Sequence, residues 1–210
     1  MRYNIISTGS KGNAVVINDV ILIDCGVSYK ALESVRNSIK IVLLTHIHTD
    51  HFKRSTIKIL AKNRPTLRFA CCPWLVSELV TLKVPRTNID VLEIGKKYDY
   101  GSFAVSPVKL YHDVPNCGYR IFMDGEKLFY ATDTNTLEGI SASGYDLYMV
   151  EANYDDTEIQ ERIKAKQEIG AYAYEFGVLH THLSRQKCDD FIYKNIKSNG
   201  EYVYMHQHEG

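Results

Sequence analysis

The segment Ile41-Val42-Leu43-Leu44-Thr45-His46-Ile47-His48-Thr49-Asp50-His51 constrains this chain more than any other stretch. Its first four residues form an unbroken apolar run, the pattern of a strand buried on both faces. Directly after it come His46, His48, Asp50 and His51, four side chains of metal-ligating type within six residues. Alternation sends His46 and His48 the same way if the extended geometry persists through Ile47. Asp50 and His51 follow where the chain must turn into a helix. Four such ligands exceed what one tetrahedral ion needs from one segment, and they suit two ions. His46 and His48 would serve one, Asp50 and His51 the other.

The eight histidines fall into four groups: His46/His48/His51, His112, His180/His182 and His206/His208. A lone histidine is more often a packed or solvated residue than a ligand. Grouping at the ends of expected strands and helices shifts the balance, because imidazole suits Zn²⁺ while carboxylates extend the choice to Mn²⁺ or Fe. His112 ends one expected strand, and Asp133 follows another in Ala131-Thr132-Asp133-Thr134. A carboxylate can bridge two cations and imidazole cannot, so Asp133 is the natural shared ligand. His206 ends the last strand, with His208 competing for the same position. Asp24, after Ile21-Leu22-Ile23, is placed to hold the ligand loop rather than the metal.

Along the chain, strands are expected at 13–17 and 20–24 around the turn Asn18-Asp19, then at 40–45 and 66–71. Helices are expected at 29–39, 52–62 and 73–83, the last with Pro at its start. From 89 to 131 the pattern becomes strands separated by glycine turns: 89–94, 103–111, 118–123 and 127–131. A strand at 147–151, one long helix from 157 to about 176, a helix at 185–195 and a strand at 202–205 complete the reading. The length of 210 residues suits one domain. Alternation, then a strand-rich block, then alternation again fits two stacked sheets covered by helices, an α/β architecture.

Charge is balanced at 25 basic and 25 acidic residues, which argues against a protein that coats nucleic acid through its overall field. Five cysteines, an odd number without a C-x-x-C pair, argue against a disulfide framework or cysteine–zinc module, and a reducing cytoplasm is the simplest setting. No secretory leader or membrane-spanning apolar run is read in the chain. The fifteen tyrosines and Trp74 are assigned to packing. Gly9-Ser10-Lys11-Gly12-Asn13 resembles a phosphate-cradling loop, but it lacks the G-K-[ST] ending and leads into a strand, so it reads as a tight hairpin. Lys53 and Arg54 could face a polyanion, as could Arg64, Arg68, Lys96 and Lys97, against the simpler reading of solvated charge.

The T-H-I-H-T-D-H segment, with Asp24 before it and His112, Asp133 and His206 after it, resembles the metallo-β-lactamase superfamily. Because the pattern spans nearly the whole chain, the resemblance implies the αββα sandwich. Gly9–Asn13, Ile21–Gly26, His112-Asp113, Ala131–Asp133, Val150–Asp155 and His182-Leu183-Ser184 are similar to the YycJ/WalJ-type branch. That branch is also carried by phages and is related to transfer-RNA 3′-processing endonucleases (tRNase Z) and β-CASP nucleases. The resemblance assigns His46, His48 and His112 to one metal and Asp50, His51 and His206 to the other, with Asp133 bridging. It makes His182 the histidine that contacts the scissile phosphate or protonates the leaving group, with Glu151 beside it. Asp50, His182 and Glu151 are thus the candidate catalytic groups. The chain departs from the branch in having Thr181 where glycine precedes this histidine, and Met205-His206-Gln207-His208 where H-L-S is usual.

The expected activity is hydrolysis of a phosphodiester in DNA, RNA or a small nucleotide, with two divalent ions, zinc foremost, acidifying a bridging water. A cyclic-nucleotide phosphodiesterase and a metal-stabilised binding protein without turnover are the alternatives. A β-lactamase is disfavoured because such enzymes are exported. A thioester hydrolase would leave His182 without a task. A homodimer is expected from the resemblance alone.

Overall fold

In the computed structural model, residues 1–207 are described, and the chain divides into two compact units, Met1–Pro107 and Val108–Gly210. His208, the competitor for the last ligand position, lies outside the described residues. The first unit carries a six-stranded sheet in sequence order: β1 (Tyr3–Ser7), β2 (Ala14–Ile17), β3 (Ile21–Ile23), β4 (Ile41–Leu44), β5 (Arg68–Cys71) and β6 (Ile89–Val91). The strands β1, β2 and β3 are antiparallel, and β3 to β6 run parallel. Helix α1 (Arg54–Asn63) makes the crossover from β4 to β5, and α2 (Val76–Thr81) the one from β5 to β6. Parallel pairing on both sides explains why β4 is uniformly apolar: all four of its residues are buried. The turn between β2 and β3 is Asn18-Asp19, as expected, both with positive φ (45° and 59°), the conformation of a two-residue hairpin.

A second six-stranded sheet has the order β12-β11-β10-β9-β8-β7. Its strands are β7 (Tyr98–Asp99), β8 (Phe103–Tyr111), β9 (Pro115–Met123), β10 (Glu126–Ala131), β11 (Leu147–Glu151) and β12 (Glu201–Met205). The neighbours β10, β11 and β12 are parallel, in a register that sets Ala131 opposite Val150 and Glu151 opposite Met205. Three carboxyl ends therefore share one edge, the place where open α/β sheets bind ligands. Between β11 and β12 lie α3 (Asp156–Glu168), α4 (Glu175–Thr181) and α5 (Arg185–Asn195). Each unit has its own apolar cluster, around Leu22, Val42, Phe52 and Phe69 in the first and Phe129, Tyr148, Val150 and Phe191 in the second. Among the described residues no helix is long and apolar enough to cross a membrane.

Three helical expectations need correction. Residues 29–39 form successive turns rather than a helix. Ser28 Oγ accepts the Ala31 amide and Ser38 Oγ donates to the Val35 carbonyl, so hydroxyls compete for the backbone. The Arg64 guanidinium takes the carbonyls of Arg36 and Ile39. The long helix expected from 157 to 176 is two helices, α3 and α4. Gly170 ends the first at φ 66°, where Ala171 N–H reaches back to the Lys166 carbonyl, a left-handed stop that glycine adopts without strain. The helix expected at 73–83 opens as a 3-10 turn, Pro73–Leu75, before α2.

Candidate metal centre

The first unit places its ligand loop directly after β4. His46 and His51 are fully buried, and the His46 ring centroid lies 4.9 Å from that of His48 and 4.2 Å from that of His51. Asp24, also fully buried, organises them. Its carboxylate accepts the Thr45 amide (2.9 Å), the Thr45 hydroxyl (2.9 Å) and the His51 Nδ1–H (2.6 Å). Burial pushes the Asp24 carboxyl up, while His51 and Thr45 pull it back.

These hydrogen bonds decide the tautomers. A hydroxyl has one proton, and that of Thr45 goes to Asp24, so at the 2.9 Å contact between Thr45 Oγ1 and His46 Nδ1 the ring must donate. His46 and His51 thus both carry their proton on Nδ1 and turn an Nε2 lone pair outward, the form that ligates a cation. Asp50 Oδ2 lies 3.6 Å from His51 Nε2.

Three further groups hold the loop, none of them given that role from the sequence, which assigned Trp74 to packing and Asn13 to a tight hairpin. Asn13 N–H donates to the Asp50 carbonyl (2.6 Å), and its amide nitrogen lies 2.8 Å from His51 Nε2. Trp74 Nε1 donates to the Thr45 carbonyl (3.2 Å). Gly26 meets the same turn so closely that a Cβ there would stand 1.6 Å from the Asp50 carbonyl oxygen. Cys25, next to Asp24, is no nucleophile, because burial and that carboxylate push its thiol far up.

In the second unit, Asp133, Glu151, His182 and His206 bring one ligand atom each to within 4.8 Å of one another. Asp133 faces two ways. Its Oδ1 lies 3.9 Å from His112 Nε2 and 3.7 Å from His182 Nδ1, while Oδ2 lies 3.1 Å from His206 Nδ1. His112 donates Nδ1–H to the Thr181 carbonyl (2.8 Å), so it too turns an Nε2 lone pair toward carboxylates, with Asp113 Oδ1 at 3.1 Å. Burial lowers its pKa more than Asp133 and the Thr181 carbonyl raise it. Because Thr181 supplies a backbone carbonyl here, its replacement of glycine costs nothing at this contact.

Glu151, fully buried at the end of β11, is the organising group of this unit. Its Oε1 accepts His182 Nδ1–H (2.6 Å), and Oε2 accepts the amides of Thr134 (2.9 Å) and Leu183 (3.3 Å). Burial opposes the charged form of His182, but Glu151, then Asp133 and Asp113, together raise its pKa. Asp133 and His206 adopt positive φ, 58° and 50°, as does Asp24 at 58°. Such backbone is rare outside glycine and clusters at functional sites. Asn116 supports the Asp133 turn through the carbonyls of Thr132 and Asp133, and Asn153 supports that of His206 through its carbonyl (2.9 Å).

Each unit thus groups its share of the expected residues: His46, His48, Asp50 and His51 in the first, and His112, Asp133, Glu151, His182 and His206 in the second. The donor chemistry fits divalent cations, since three rings are held as the Nδ1–H tautomer and one carboxylate offers an oxygen to either side.

Comparison with known proteins agrees with this chemistry. Over 171 residues the chain is 24% identical to exodeoxyribonuclease YycJ of Bacillus anthracis, covering 74% of this chain and 64% of that protein. It therefore spans a little less than two thirds of that relative. The structure resembles the metallo-β-lactamase fold protein YhfI of Bacillus subtilis, with a TM-score of 0.75, 16% identity, and 99% and 87% of the two chains covered. It also resembles human tRNase Z, short form, with a TM-score of 0.71, 19% identity, and 100% and 93% covered. The fold is the metallo-β-lactamase fold, of α/β class. Residues 20–187 match the family described as the beta-lactamase superfamily domain, and the chain belongs to that family.

Proposed function

We propose that this protein is a dinuclear metal-dependent phosphodiesterase that cleaves nucleic acid. The observation that carries the reading is the Glu151–His182 pair beside Asp133 and His206, an oriented imidazole next to ligand-type side chains. Family membership and the resemblance to nuclease relatives supply the substrate class. His46, His48 and His112 would hold one ion and Asp50, His51 and His206 the other, with Asp133 shared and zinc the metal that suits imidazole-rich donors. Two such ions supply Lewis acidity, activating water and neutralising charge that develops on the phosphate.

The chain's own groups do the rest. Glu151 keeps the proton of His182 on Nδ1, which leaves Nε2 as the atom that meets the substrate. As an imidazolium, His182 delivers its Nε2 proton to the departing oxygen while Glu151 stabilises its position. Asp24 and Thr45 hold His46 and His51 in the ligating tautomer throughout. A cytoplasmic setting accords with the five buried cysteines.

His182→Ala tests the division of labour. Metal content is expected to persist while phosphodiester turnover falls by about 10²–10⁴-fold, the range for loss of a general acid. Equal loss of metal and turnover would make His182 a ligand instead. Digesting single-stranded DNA, duplex DNA, RNA and cyclic nucleotides side by side identifies the substrate. Activity confined to mononucleotides would sink the nuclease reading in favour of a small-nucleotide phosphodiesterase.

A further inference from the structure

Helix α4 is seven residues long, and His182 follows its carboxyl end. A helix so short is marginal on its own, and its buried residue, Glu175, lies at the opposite end. The last carbonyls of a helix lack partners within it. Whatever captures them therefore decides where His182 stands. His112 and Asn135, both from the second unit, do so. His112 Nδ1–H takes the Thr181 carbonyl (2.8 Å), and the Asn135 side-chain amide donates to the His180 carbonyl (2.8 Å). A carbonyl acceptor fixes which way that amide faces, because only its NH₂ can donate.

Asn135 belongs to the turn that Asp133 opens. Within this turn Thr134 N–H donates to Glu151 Oε2 (2.9 Å), and the Thr134 hydroxyl oxygen accepts the Tyr111 amide (3.0 Å). Asn135 N–H donates to the Tyr111 carbonyl (2.9 Å). Tyr111 ends β8, and His112 comes directly after it. The backbone of Asn135 thus fixes the point from which His112 leaves its strand. Its side chain fixes the carbonyl next to the one that His112 meets. A single residue sets both partners of the His112–Thr181 hydrogen bond, with His182 next in the chain.

We propose that Asn135 is a positioning residue for His182 and His112, holding the end of α4 against the Asp133 turn. Its effect on turnover rests on the nuclease reading above, whereas its effect on the His112 ring stands without it. Removing the side chain leaves the backbone bond to Tyr111 in place, so the end of α4 alone is released. The lost bond lies at the surface, where water can replace it, and the fold should hardly notice.

Turnover of a single-stranded oligonucleotide is compared in four metal-loaded proteins: the parent, Asn135→Ala, His182→Ala and the double variant. Asn135→Ala is expected to lower kcat by about tenfold, the lower end for loss of an orienting partner. Its Tm should stay within about 2 °C of the parent. In the His182→Ala background the same change should lower kcat by less than about twofold, because the ring it aims is gone. A merely structural role would lower kcat equally in both backgrounds.

The second readout needs no activity. Long-range proton–nitrogen NMR correlations on metal-stripped protein, at mildly alkaline pH where imidazole is neutral, report which ring nitrogen carries the proton. His112 is expected as the Nδ1–H form in the parent and as a mixture of both forms in Asn135→Ala. His51, held by Asp24, is the internal reference and should not change. An unchanged His112 ring overturns the positioning role whether or not the protein cleaves nucleic acid. So does a kcat that Asn135→Ala leaves at the parent value or lowers equally in both backgrounds. A shifted ring in a protein that cleaves no phosphodiester upholds the role at His112 and rejects the hydrolase reading.

Discussion

Replacing Glu151 by glutamine should destabilise the protein and abolish most of its activity together. A glutamate at this buried point accepts from three donors: His182 Nδ1–H on one oxygen, and the Thr134 and Leu183 amides on the other. Glutamine has only one accepting atom. If its carbonyl serves the two amides, its NH₂ faces His182 and demands the opposite tautomer. If the carbonyl serves His182, two amides lose their acceptor. Each buried group left unsatisfied costs about 1–3 kcal/mol. At roughly 2–4 °C per kcal/mol for a chain of this size, Tm should fall by about 5–10 °C. Turnover should fall at least as far as in His182→Ala, whose Tm should move much less. A Glu151→Gln protein with unchanged Tm would show that this network does not support the fold.

Asp24→Asn should act on metal rather than on turnover directly. Asparagine tolerates the positive φ at this position, so backbone strain is not the cause. The effect comes through protons. With its carbonyl accepting from Thr45, the new amide faces His51 Nδ1 with a donor, which favours the ring proton on Nε2. That is the atom needed as a ligand. Loss of such an orienting partner typically weakens metal affinity about 10–100-fold. Competition with a chromogenic chelator measures it. Affinity within twofold of the parent would mean that Asp24 serves packing alone.

The two variants separate what the sequence made legible from what it hid. His46, His48, Asp50, His51, His112 and Asp133 stand out because their residue types recur just after apolar runs, and a strand's carboxyl end is where a loop can present them. Strand β4 was legible for the same reason, since burial on both faces leaves no polar residue in the run, and β11 reads the same way up to the Glu151 that ends it. The supports were harder to see. Asn13 reaches Asp50 across 37 positions, and Thr45 matters through one hydroxyl proton. Positive φ at Asp24, Asp133 and His206 follows from the turn each strand must make and has no compositional signature. The turns at 29–39 carried a helical pattern because Leu32, Val35 and Ile39 are indeed buried together, but most of the backbone bonds there close three residues back, and Ser28, Ser38 and Arg64 share the same backbone groups. Gly170, by contrast, carried a stop signal that the expected single helix from 157 to 176 passed over.

The most direct test of the central claim is a metal titration of activity. Protein stripped by chelation is given increasing equivalents of Zn²⁺ or Mn²⁺, and cleavage of a single-stranded oligonucleotide is followed at each point. No cleavage without metal, and a rate that rises to a plateau at two equivalents per chain, is the predicted result. Cleavage by the stripped protein, or two equivalents bound with no phosphodiester cut, would contradict it.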